Sequence, residues 1–145
     1  MSTMFFRQYE SADDTFIQWA RQLNHFMNNI GGYITLDNKP WITPTLLNSW
    51  ANLGSPWSTC QYFKDATGVV HLKGMVSGGA DSTIVFQLSS GYRPSESMYV
   101  STLGVGSSGV MFCWATIDTS GNVTVAASGT GISWIGLDNI SFKAA

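Results

Sequence analysis

Proton transfer, nucleophilic attack and metal binding in this 145-residue chain must draw mainly on two histidines, His25 and His71, two cysteines, Cys60 and Cys113, and nine acidic residues. Nucleophilic catalysis needs a nucleophile beside a positioned base, and neither histidine comes with a Gly-x-Ser-x-Gly elbow or a Cys-His signature. The two cysteines and two histidines are scattered without metal-ligand spacing, and His25, off the apolar seam described below, reads as a solvated side chain. "GVGSSGV", beginning at Gly104, has the glycines of a phosphate loop but lacks its Gly-Lys-Ser/Thr ending and a following helix; it is expected to be a flexible inter-strand loop. Glycoside hydrolysis needs carboxylates facing each other across a cleft. Asp65, Asp81, Asp118 and Asp138 each fall at a turn or loop position that accounts for them without chemistry. No catalytic residue, metal site or cofactor is therefore assigned, and the expectation is a protein that binds and does not catalyse.

Binding falls to the aromatic residues. Trp57, Tyr92 and Trp134 lie in or beside predicted loops, where an exposed ring can cover the apolar face of a sugar; the competing reading of each is a core or strand-end residue. "FQLSSGYRPS", residues 86–95, contains Tyr92 and reads as the end of a strand. Gly91 permits the bend, Pro94 fixes φ and removes a donor, and Arg93 has the fork of donors to pin the turn to carbonyls.

Composition narrows the partners. Charged residues make up 11% of the chain, against about 25% in ordinary domains, so its surface polarity comes from hydroxyls and amides. A formal net charge of -2 and a pI near 5.4 offer no basic stripe for phosphates, which argues against nucleic acid. No apolar run reaches the ~18 residues of a membrane span, and the N-terminal residues lack the pattern of a signal peptide. A soluble, unprocessed protein made in the cytosol is expected, with Cys60 and Cys113 as buried free thiols.

Two segments must position these residues. In "SADDTFIQWARQLNHFMNNIGG" the residues Phe16, Trp19, Leu23, Phe26 and Ile30 are spaced 3, 4, 3, 4, the a/d rhythm of a heptad. The spacing predicts a helix with one narrow seam, capped by Ser11 with Asp14 and stopped by Gly31 and Gly32. The seam serves either to lie on the chain's own domain or to join subunits, and its large aromatics suit the axis of three helices better than that of two. Residues 1–40 are read as this helical attachment or oligomerisation segment.

Residues 41–145 read as strand and turn. After a loop-like connector, "CQYFKDATGVVHLKGMVSGG" and "FCWATIDTSGNVTVAASG" share a hairpin grammar, with Gly68 and Gly121 placed to take positive φ. Further strands are expected at 83–88, 97–103 and 132–142. Many short strands without βαβ alternation predict an antiparallel β-sandwich preceded by the N-terminal helix. In "VMFCWATI", residues 110–117, both alternating rows are apolar, so something must cover each face: the second sheet and the helix, or a neighbouring subunit.

The wording of these residues has a familiar order. "WITPTLLNSWANLG", "YFKDATGVVHLKGMVSGG", "VFQLSSGYRPS" and "SWIGLDNISFKA", spanning 41–145, together resemble a recurrent module of bacteriophage tail-fibre, neck-appendage and receptor-binding proteins, particularly in phages of Gram-positive hosts. The module's Leu-Pro-x-Gly-Tyr-Arg-Pro turn reads "LSSGYRP" here, with Ser89 for the proline. Its terminal Trp-[Leu/Ile/Val]-Ser-Leu-[Asp/Glu]-Gly-[Ile/Val]-x-[Phe/Tyr] strand reads "WIGLDNISF", with Gly136 and Asn139 as departures. The resemblance implies a β-sandwich virion component of the tail or fibre, often a homotrimer, and it brings no catalytic residues; other virion proteins are the expected partners, with host cell-surface carbohydrate the partner that the loop aromatics would allow. The alternatives are a purely structural head or tail decoration or connector and, from another class, a cell-envelope glycan-processing enzyme.

Overall fold

The computed structural model describes residues 12–34 and 40–145. Contacts divide the chain into two units, with the boundary between Asn38 and Lys39, and each is described by itself.

The first unit is a single described helix, α1, Ala12–Ile34. Its seam residues Phe16, Trp19, Leu23 and Phe26 are all exposed, and the Phe16 and Trp19 rings lie 6.0 Å apart. The expected cap, Ser11, and the side chain of Ile30 lie outside the described residues. Gly31 and Gly32 do not stop the helix, contrary to expectation. A glycine costs a helix only about 1 kcal/mol unless the backbone turns left-handed there, and the heptad rhythm runs on to Tyr33.

The second unit is an antiparallel sandwich. Its strands are β1 (Ala51–Asn52), β2 (Gln61–Lys64), β3 (Val69–Lys73), β4 (Met75–Ser77), β5 (Thr83–Gln87), β6 (Met98–Gly106), β7 (Gly109–Ile117), β8 (Asn122–Ala127), β9 (Ile132–Gly136) and β10 (Ser141–Lys143). A seven-stranded sheet runs β1-β4-β9-β6-β7-β8-β5, and a three-stranded sheet runs β10-β3-β2. Alternation decides what faces inward. Tyr62, Val70, Leu72 and Phe142 of the small sheet, with Val76, Val85, Phe86, Cys113, Ala115, Ile117, Val123, Val125 and Ile135 of the large one, form one buried cluster. The rings of Tyr62 and Phe86 stack across the two sheets at 6.0 Å. Cys60 and Cys113 are buried free thiols, and burial pushes Cys60 up to about 12.

Two sequence expectations are corrected here. The strand expected over 132–142 is two strands in different sheets. Leu137 and Ile140 turn into the core, and Asn139 takes φ 67° between them, in the region that Asn tolerates better than most residues. Gly74 (φ 114°) makes the matching crossing between β3 and β4. The two crossings are stitched together: Leu137 N–H donates to the Gly74 carbonyl at 2.8 Å, and Gly74 N–H donates to Asp138 Oδ1 at 2.9 Å. The "GVGSSG" segment is likewise mostly strand. Gly104–Gly106 end β6 and Gly109 opens β7, leaving Ser107 and Ser108 as a tight turn. The backbone demands the glycines: a Cβ on Gly104 would lie 2.8 Å from the Trp134 carbonyl oxygen.

The two-sided row of β7 resolves unevenly. Cys113, Ala115 and Ile117 face the core. On the outer face, β6 and β7 pair Tyr99 with Thr116, Ser101 with Trp114, Leu103 with Phe112 and Val105 with Val110, a stretch without a charged side chain. Tyr99, Leu103, Val110 and Phe112 are exposed there.

Candidate functional site

The outward row of the small sheet sets polar and aromatic groups side by side. Because Val70 and Leu72 point into the core, His71 and Lys73 must point out. The register sets Phe63 of β2 and Ser141 of β10 on either side of His71. Phe63 stacks on the His71 ring at 4.9 Å.

Trp41 stands beside this row. The Ile42–Tyr62 bridge brings its ring against the Phe63 edge, 4.5 Å between centroids, and the Lys73 ammonium sits 4.2 Å over the Trp41 ring, a cation–π contact. The Asp138–Asn139 corner also lines this space. Together these groups enclose an open cleft of about 460 Å³, within the range of about 300–1,000 Å³ usual for small-ligand sites.

Asp65 fixes the His71 ring in the cleft lining. Its Oδ1 accepts from Thr67 N–H, Thr67 Oγ1 and Val69 N–H, which builds the β2–β3 turn, and its Oδ2 accepts from His71 Nε2 at 2.8 Å. The His71 bond first, then those from Thr67 and Val69, hold the Asp65 carboxyl well below the usual carboxylate range. An ionised carboxylate only accepts, so Nε2 carries a proton and donates it to Asp65.

Asp65, His71 and Ser141 thus succeed one another as in a hydrolase triad. Among the described residues, however, no hydrogen bond joins Ser141 to His71, the bond through which a triad's base activates its serine.

The aromatic candidates separate. Trp57, exposed, and Trp134, half-buried, come together as a stacked pair at 6.5 Å. Tyr92 is elsewhere: it packs edge-on against Tyr62 at 5.2 Å, with the Lys64 ammonium 5.1 Å from its ring. The turn around it is stitched to its neighbours, since Arg93 Nε donates to the Leu88 carbonyl at 3.1 Å and Ala145 N–H donates to that of Arg93 at 2.8 Å. Gly68, Gly91 and Gly121 take φ of 83°, 85° and 84°, and Pro94 is buried. The cleft itself was missed by sequence reasoning. Its signal was the alternation of His71 and Lys73 with Val70 and Leu72, and nothing local placed Trp41, Asn139 and Ser141 beside them.

No protein-family model and no curated protein matches the chain. The crystal structure of the receptor binding protein gp15 of Listeria phage PSA does: it matches 97% of this chain and 84% of that chain, with TM-score 0.68 and 16% sequence identity. The fold is one that a phage receptor binding protein adopts. The likeness spans helix and sandwich alike, and the Listeria phage belongs to the Gram-positive group that the sequence resemblance indicated.

Proposed function

We propose that this chain is a non-enzymatic bacteriophage virion protein, borne on the tail or a fibre, that engages the host surface during adsorption. The observation that carries this reading is the fold shared with a phage receptor binding protein over 97% of the chain. In this reading α1 attaches the sandwich to other virion proteins and gathers three copies through Phe16, Trp19, Leu23 and Phe26, whose exposure leaves an apolar seam for helix partners. The sandwich is displayed outward, and its ligand is a carbohydrate of the host surface.

The purified full chain, fluorescently labelled, is expected to decorate cells of a susceptible Gram-positive strain and to slow adsorption of the phage that encodes it. Decoration of no strain that the phage infects would overturn the receptor-binding reading.

One observation favours a second role. The uncharged outer face of β6 and β7 exposes Tyr99, Leu103, Val110 and Phe112 side by side, a contiguous apolar patch of the kind that marks interaction surfaces. It suits a decoration or connector protein that packs against other virion subunits, and a chain that assembles into particles but never labels cells would have that role alone.

A further inference from the structure

Resting on the receptor-binding reading, we propose that the cleft over β2, β3 and β10 is the ligand site, and that it takes an uncharged, hydroxyl-rich ring: one sugar residue of a surface glycan. The Trp57–Trp134 pair is not that site.

Orientation and charge carry the argument. A ring-shaped polyol needs an apolar wall for its C–H face and a few fixed polar groups for its hydroxyls. Trp41 and Phe63, which line the cleft, supply the wall with the ring surface that Lys73 and His71 leave uncovered. Lys73, Asn139 and Ser141 line the cleft, and among the described residues no hydrogen bond engages their side-chain polar atoms. Asp138 gives one oxygen to the Gly74 amide and keeps the other as an acceptor.

Together they present donors from Lys73 and Asn139, acceptors from Asp138 and Asn139, and a Ser141 hydroxyl that does either. A sugar hydroxyl both donates and accepts, so it matches this mixed set. A phosphate does not: it only accepts, and it would meet the Asp138 carboxylate. Lys73 and Asp138 put one positive and one negative charge in the lining, so an anion meets no surplus of cations from them, and the His71 ring already gives Nε2 to the Asp65 carboxylate. Trp57 and Trp134 stack on each other and line no part of this cleft.

Asn139 gives a variant that tests the site without breaking the fold. Its backbone is left-handed at φ 67°, a conformation that glycine adopts without strain, so Asn139→Gly removes the amide and leaves the corner intact. Trp41→Leu removes one of the two rings of the wall.

The experiment is a titration of the ¹⁵N-labelled full chain with methyl glycosides of glucose, galactose, N-acetylglucosamine and rhamnose, and with glycerol 3-phosphate. At least one glycoside is expected to shift the amides of His71, Lys73, Asn139 and Ser141 saturably, with Asn139→Gly and Trp41→Leu each weakening it by about threefold to tenfold, the scale of one hydrogen bond or one aromatic contact. Glycerol 3-phosphate is expected to shift none of them. No saturable shift in the cleft with any glycoside up to ~100 mM, shifts centred on Trp57 and Trp134, or phosphate binding as tightly as the sugar would each overturn the proposal. Cell labelling separates its failure from that of the underlying reading: if wild type and both variants decorate host cells equally, the chain binds the host but not through this cleft.

Discussion

Gly68 and Gly121 occupy the same place in two hairpins of the same design, yet the structure gives them different costs of substitution. Both are left-handed, at φ 83° and 84°, so a Cβ on either incurs about 1–2 kcal/mol of backbone strain. At Gly68 that is nearly the whole effect, because the added atom would meet only the flexible end of Lys143, 3.0 Å away. At Gly121 the Cβ would lie 2.9 Å from the Leu88 carbonyl oxygen and 2.9 Å from Arg93 Cγ. That carbonyl accepts from Arg93, and Leu88 N–H donates back to the Gly121 carbonyl at 2.8 Å. Overpacking there adds about 1–3 kcal/mol. Gly68→Ala should therefore cost about 1–2 kcal/mol, and Gly121→Ala about 2–5 kcal/mol. In a domain near 100 residues each kcal/mol lowers the melting temperature by about 4–8 °C, so the second variant should melt clearly below the first. Thermal melts of both variants at one protein concentration, followed by β-sheet circular dichroism, read the difference. Equal shifts would refute the docking of the β7–β8 turn against Leu88 and Arg93, and no shift in either would remove the left-handed turns themselves.

Three further outcomes are expected. Asp65 has a depressed folded value, so its contribution to stability is full above the ordinary carboxylate range near pH ~3.9 and is lost as pH falls through the folded value; Asp65→Asn should lower stability at pH 7 and flatten its acid dependence in denaturant titrations. Asp118 behaves alike: burial pushes its carboxyl up, but bonds from the Asn122 side chain and from the backbone of Asn122, Ser120 and Gly121 outweigh this and leave it lowered. A thiol reagent at pH 8 should find neither Cys60 nor Cys113 in the native protein and both in denaturant, and rapid native labelling would contradict their burial. Under the proposed three-helix clasp, Trp19→Ala with Phe26→Ala should give folded 15.8 kDa monomers by sedimentation; a monomeric wild type at micromolar concentration would remove the helical clasp.

Local chemistry in the sequence determined the helix, the two left-handed hairpin turns and the alternation that buries Val70, Leu72, Val123 and Val125. Each of these follows from periods of a few residues and from conformations that only certain residues adopt. The helix end was misplaced because two glycines weigh less than a heptad that continues past them. The break in 132–142 was hidden for a different reason: Leu137 and Ile140 are apolar enough to continue a strand, and only the second sheet, pulling both into the core while Asp138 ties the corner to Gly74, makes the chain change layers. The cleft belongs wholly to that decision. Trp41, His71 and Asn139 are distant in sequence and meet because β10 pairs with β3 and the Ile42 bridge lies along β2. Side-chain period could say that His71 and Lys73 face outward, but what stands beside them is set by which strands become neighbours, a long-range choice that no local pattern records.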